Sequence, residues 1–93
     1  MILLSPDAVE DVERLRAFLD QNNPGAAQRA LASIWTAIER LQEFPDMGMR
    51  TDADIRQIVV RFGASGYIVR YAAVRGDGDI LITRIWHGRE ART

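Results

Sequence analysis

Apolar residues recur at helical spacing in the first half of the chain and at strand spacing in the second, with the period changing near residue 54. Ile2, Leu3 and Leu4 form a short apolar run that predicts an opening strand. Ser5-Pro6-Asp7 then reads as a helix start, with serine as N-cap, proline at the first helical position and an acid in the first turn. Ala8, Val12, Leu15 and Leu19 follow at spacings of four, three and four, with Phe18 beside them, which places them on one helical face. Glu10, Glu13, Arg14, Ala17 and Gln21 take the other face.

Asn22-Asn23-Pro24 stops this helix and starts another, with Asn23 as N-cap. Ala27, Ala30, Leu31, Ile34, Ala37, Ile38 and Leu41 make a broad apolar stripe, wide enough for two neighbours, the first helix and a sheet. The pattern predicts a helix from Pro24 to Phe44, roughly 31 Å long at about 1.5 Å per residue. Phe44-Pro45-Asp46-Met47-Gly48 ends it, and the short link between the helices predicts an antiparallel hairpin.

Residues 55–62, 67–74 and 80–86 are rich in β-branched and aromatic side chains and are separated by glycine turns, Gly63-Ala64-Ser65-Gly66 and Arg75-Gly76-Asp77-Gly78-Asp79. The order is β-α-α-β-β-β, an α+β fold with the helical hairpin on one face of a small, mainly antiparallel, twisted sheet. Where the first strand sits in that sheet is left open. A sheet half-covered by helices should alternate apolar and polar positions. Residues 55–62 carry apolar groups on both parities. Either a partner chain covers the second face, or twist and edge effects blur the pattern.

Composition sharpens this picture without changing it. Ninety-three residues make one domain, 1–93, with one core, and 47% hydrophobic and 27% charged residues are globular values. No apolar run is long enough to span a membrane, and the N-terminus lacks a signal pattern, so the expected location is the cytoplasm. With no cysteine there is neither disulfide nor thiol chemistry, and a single histidine is too few for a conventional zinc site; no metal or cofactor is expected. Net charge is −1, but residues 1–54 hold five arginines and ten acids while residues 55–93 hold seven arginines and three acids. The basic half can attract an acidic partner or a phosphate backbone, or can be a solvated sheet edge.

The densest chemistry lies in Ile85-Trp86-His87-Gly88-Arg89-Glu90, which holds the single histidine beside a tryptophan and an arginine, with Arg84 just before it. His87 has the pKa range of a general acid or base. Arg56, Arg84 and Arg89 offer planar forks for phosphate, and Tyr71 a ring that could orient a base. Each has a plainer reading. A histidine at a strand end can serve as a structural hydrogen-bonder. Tyr67 and Tyr71 share a strand face and read as packing residues, Trp35 as core or partner contact, and Asp77 and Asp79 as a turn. Asp7, Glu10, Asp11 and Glu13 read as a solvated acidic face suited to a helix N-terminus.

Taken in order, these residues resemble the RelE/ParE superfamily of bacterial type II toxins along the full length. The matching pieces are the opening strand into Ser5-Pro6, Asn23-Pro24 with Ala26-Ala27, Leu41 through Pro45 and Gly48, Arg56, Tyr67 and Tyr71, and Trp86-His87-Gly88-Arg89. The resemblance implies a toxin neutralised by a cognate antitoxin, with growth inhibition, plasmid stabilisation and operator DNA contacted only through the antitoxin. Two activities occur in the superfamily: cleavage of mRNA on the ribosome in the RelE-like branch, and inhibition of DNA gyrase in the ParE-like branch. The nuclease branch places a Tyr or His-Tyr near the C-terminus, whereas Gly88 follows His87 here, and lysine is absent. The ending therefore resembles the ParE-like branch, a gyrase inhibitor rather than an enzyme. Arg56, Arg84, Trp86, His87 and Arg89 are then candidates for contact with target or antitoxin. In the nuclease alternative, His87, Arg84, Arg56 and Tyr71 would be catalytic. In a third alternative the chain is mainly an antitoxin-binding module.

Overall fold

The computed structural model describes residues 1–74 and 78–89, the side chain of Asn22 excepted. Strand β1 (Ile2–Leu4) leads into helices α1 (Pro6–Asn22) and α2 (Pro24–Arg40), and strands β2 (Met49–Asp52), β3 (Ile55–Phe62), β4 (Ser65–Val74) and β5 (Asp79–His87) follow. They form one sheet in the order β1-β5-β4-β3-β2, with β1 parallel to β5 and every other pair antiparallel. The open question about the first strand is thus answered: the chain begins at the far edge, beside its own last strand. No helix among the described residues is long and apolar enough to cross a membrane.

Both helix starts are capped as the sequence indicates. Ser5 Oγ accepts the Ala8 amide at 3.1 Å and Asn23 Oδ1 accepts the Ala26 amide at 3.1 Å. Ser5 has a second task, since its hydroxyl also donates to the Thr83 carbonyl at 2.9 Å. Removing a cap typically costs about 1 kcal/mol. Ser5→Ala also strands a carbonyl of β5, so about 1–2 kcal/mol of destabilisation is expected in a urea melt, and a shift below about 0.5 kcal/mol would remove this dual role.

The helices bury Ala8, Leu15, Ala30, Ile34, Ile38 and Leu41 against Val60, Tyr67, Val69, Tyr71, Ile80, Ile82 and Ile85 of the sheet. Two differences from expectation stand out. Helix α2 stops at Arg40, four residues short of Phe44, and residues 41–47 continue as turns. Leu41 is the last position of the stripe to be buried; Phe44 is 53% exposed, so packing offers nothing to extend the helix, and Pro45 disfavours helical backbone before it. The other difference is strand β2, which has no counterpart in the expected order. All four of its residues are exposed, and backbone pairing to β3 holds it rather than any apolar face.

The blurred alternation of the strands has two sources. On β5, Arg70 pairs with Arg84 but Tyr71 pairs with Ile82, so Thr83 is an extra residue. This bulge switches parity, and Ile80, Ile82 and Ile85 all reach the core. On β3 no bulge intervenes: Val60 faces the core, while Val59 lies on the helix-free face, 52% exposed. Gly63 makes the β3–β4 turn at φ +60°, where a Cβ would be strained. In the β4–β5 turn Gly78 has φ +68°, and Arg75, Gly76 and Asp77 lie outside the described residues. Asp79, read as part of that turn, accepts a 3.1 Å bond from the N-terminal amine.

Candidate functional site

Strand β1 ends at Leu4, so the outer edge of β5 beyond Ile82 has no strand beside it. Side chains of α1 complete that edge. Asp11 Oδ2 accepts the Ile85 amide at 2.8 Å, and Arg14 donates to the Ile85 carbonyl at 3.2 Å, continuing the line begun by Ser5. Asp11 is also gripped by Arg84, through Nε at 2.8 Å and Nη2 at 3.1 Å, and by Arg14 at 2.6 Å. Only 1% of Asp11 is exposed. Burial pushes its carboxyl upward, but the hydrogen bonds from Arg84, Arg14 and the Ile85 amide outweigh it and hold the pKa at about 2. The same bond to Asp11 raises the Arg84 guanidinium above its ordinary value.

This corrects two expectations. Asp11 is not part of a solvated acidic face; it lies on the apolar side of α1, between Ala8 and Leu15, and is the polar hub of the core edge. Arg84 does not offer a free fork for phosphate, because two of its donors are committed to Asp11.

Tyr71 is likewise corrected as a base-stacking candidate. Its ring is fully buried, its hydroxyl donates to the Pro45 carbonyl at 2.7 Å, and it accepts the Gly48 amide at 2.9 Å. Burial raises the phenol pKa, with the Gly48 bond acting against it. Arg56, its cross-strand partner, grips the same loop: it donates to the Gly48 carbonyl at 2.9 Å and the Asp46 carbonyl at 3.3 Å, and its charge lies 3.6 Å from the Asp46 carboxylate. These two candidates form a clasp on residues 45–48.

Trp86, His87 and Arg89 form a separate group at the other end of the sheet. The His87 ring stands edge-on to Tyr67, with centroids 5.2 Å apart at 89°. Its Nδ1 accepts the Arg89 amide at 3.0 Å, so that nitrogen is occupied. Gly88 donates to the Gly66 carbonyl at 2.7 Å, and a Cβ at Gly88 would stand 3.1 Å from that oxygen. The glycine after His87 thus has a packing reason. Trp86 lies on the helix-free face, 7% exposed, with the Arg70 guanidinium 4.8 Å from its ring centroid. Arg89 is exposed; Glu90 lies outside the described residues.

His87 pairs with Tyr67 and Arg56 with Tyr71, four residues apart on β4. At about 3.3 Å per residue and about 4.8 Å per strand, roughly 16 Å separates His87 from Arg56. The candidates therefore fall into three places rather than one cleft: the Arg84 hub, the Arg56–Tyr71 clasp and the Trp86–His87–Arg89 end. Among the described residues, no three of His, Cys, Asp and Glu gather as a metal site would require. Two participants were not among the site candidates drawn from the sequence. Asp11 had a visible signal, an acid inside an apolar helical stripe; Arg70 had none, because its contact depends on strand register.

Residues 2–92 match the family described as the ParE toxin of the type II toxin–antitoxin system parDE. Toxin RelE3 of Caulobacter vibrioides is 38% identical, over 96% of this chain and 95% of that protein. Toxin RelE1 of the same organism is 35% identical, over 98% and 96%. A chain from a structure titled as the chromosomal ParDE TA system from P. aeruginosa superposes with a TM-score of 0.72 over 92% of each chain, at 18% identity, and so shares the fold. With the helical hairpin on its mixed sheet and a match along nearly its whole length, this chain belongs to the ParE toxin family of type II toxin–antitoxin systems.

Proposed function

We propose that this toxin is held inactive by a cognate antitoxin and acts by binding DNA gyrase rather than by cutting RNA. One observation carries the choice: the residues a ribonuclease would use are dispersed and engaged internally. Cleavage of an RNA backbone needs a base, an acid and a cation around one phosphate. Here Tyr71 is buried, Arg84 is bound to Asp11, Arg56 is bound to its own loop, and His87 stands roughly 16 Å from Arg56. An inhibitor that binds a protein needs no such convergence.

Purified toxin is expected to inhibit gyrase supercoiling at micromolar concentration or below, and primer extension on translated mRNA after induction is expected to show no new 5′ ends. New cleavage ends that disappear in His87→Ala would establish the ribonuclease reading instead. Induction without the antitoxin that left growth untouched would reduce the chain to a binding module.

A further inference from the structure

The turn that follows α2 projects two large apolar side chains that neither the core nor the clasp uses. Phe44 is 53% exposed and Met47 43%. Their backbone is fixed. The Phe44 amide donates to the Arg40 carbonyl at 3.0 Å, and the Met47 amide closes the turn onto the Phe44 carbonyl at 3.1 Å. Pro45 occupies the second position of that turn, which its fixed φ suits. Tyr71 holds the Pro45 carbonyl, and Arg56 holds those of Asp46 and Gly48. A segment pinned at so many points presents its side chains with little ordering left to do, which favours its use as a contact surface. Beside the Phe44 ring lies an open cleft of about 490 Å³, lined by Arg40, Glu43, Phe44, Pro45, Asp46 and Met47, with room for a phenyl ring. The Asp46 carboxylate faces Arg56 at 3.6 Å. Arg40 and Glu43 are exposed and form no ion pair with each other or with any other described residue.

We propose that this patch joins two copies of the chain across a two-fold axis, with each Phe44 seated in the other copy's cleft and Arg40 of each copy facing Glu43 of the other. The patch itself selects this occupant. It holds a projecting ring and a cleft to receive one, an unpaired cation and an unpaired acid. A surface that carries both halves of each match fits its own two-fold image. Nucleic acid would meet a single unpaired cation, and a small apolar ligand would leave Arg40 and Glu43 unmatched. The nearby free edge of β2 does not join the copies. It is four residues long, bulged between Arg50 and Asp52 and charged at both, features that blunt an edge against pairing. The contact is smaller than a standard interface, so the pair forms weakly and separates on dilution. It leaves the Trp86–His87–Arg89 end of the sheet open, and it depends on neither gyrase nor an antitoxin.

The test is sedimentation velocity of the purified toxin alone, from about 1 to about 300 μM, a range that reaches weak interfaces. Thermal melts establish that each variant is folded. The mean mass of the unsubstituted toxin should rise towards that of a dimer, while Phe44→Asp should stay monomeric throughout. Arg40→Glu and Glu43→Arg should each weaken association about tenfold at low salt, because two-fold symmetry turns one substitution into two repulsive pairs. Mixed in equal amounts, these two variants should associate within about threefold of the unsubstituted toxin, since each supplies the charge the other now faces. Damage to the fold would not be rescued by a second variant in this way. Val59→Asp, at an exposed site on the helix-free face, should leave association unchanged. A toxin that stays monomeric, a dimer that survives Phe44→Asp or is lost in Val59→Asp, or a mixture that fails to re-form would each overturn the proposal. If the toxin stays monomeric and Phe44→Asp loses gyrase inhibition or antitoxin binding, the patch belongs to that partner instead.

Discussion

Replacing Asp11 by alanine is expected to destabilise the fold by about 2–4 kcal/mol, because it removes a buried carboxylate that serves a buried amide and two partly exposed arginines at once. The truncation leaves the Ile85 amide without its acceptor at a buried edge that has no strand beside it, and leaves the Arg84 and Arg14 guanidinium groups facing each other without the charge between them. The pH dependence follows from the same geometry. Asp11 has a folded pKa of about 2 against an ordinary 3.8. The group is depressed on folding, so its contribution is fully present above the unfolded value and is lost as pH falls through the folded one. The shift corresponds to about 2 kcal/mol, lost between about pH 5 and pH 2. Alanine costs more than protonation because a protonated carboxyl still accepts some of these bonds. Urea melts from pH 2 to pH 7 should show stability falling with acid in the unsubstituted toxin, with part of that slope missing in Asp11→Asn. A loss below about 1 kcal/mol in Asp11→Ala, with the slope intact, would show that the hub is not holding the edge of β5.

Asp11 also marks where reading the chain as a sequence stops. The helices were legible because their caps are local: Ser5-Pro6 and Asn23-Pro24 each act within four residues, and the structure has both bonds in place. Strands β3, β4 and β5 were legible from β-branched runs between glycine turns. Strand β2 was not, because an exposed four-residue strand is selected by the partner's backbone and leaves no pattern of its own. The bulge at Thr83 was hidden for a related reason, since it is a property of two strands in register. At the candidate site, the sequence drew together residues that share chemistry, and the fold sorted them by location. Arg84 and Tyr71 turned inward to satisfy groups 73 and 26 residues away, which no local signal announces. Val59 did signal something: apolar groups on both parities of residues 55–62 posed the question of a second covered face, and Val59 does lie half exposed on the face that the helices leave open.

Gly48→Ala is the second large effect, about 2–4 kcal/mol, and its cause is space rather than backbone conformation. Gly48 is not among the glycines with positive φ. A Cβ there would stand 2.6 Å from Tyr71 Oη, 2.7 Å from Tyr71 Cε1 and 2.9 Å from the Gln57 carbonyl. None of these can yield cheaply. The Tyr71 ring is fully buried and its hydroxyl is held by the Pro45 carbonyl, while Gln57 pairs with Met49 in the ladder joining β2 to β3. The loop must therefore withdraw, and withdrawal breaks the Gly48 amide bond to Tyr71 and the Arg56 bond to the Gly48 carbonyl together. Tyr71→Phe alone should cost about 1–3 kcal/mol, by removing the acceptor of one buried amide and the donor to one carbonyl. In the double variant the hydroxyl that the new methyl meets first is gone, so the two losses should fall short of their sum by about 1 kcal/mol. Because ring carbon Cε1 and the Gln57 oxygen remain, the double variant should still be less stable than Tyr71→Phe. Strict additivity in a denaturant double-mutant cycle would mean that the loop avoids Tyr71 altogether, and that Arg56 alone keeps residues 45–48 closed over the end of the core.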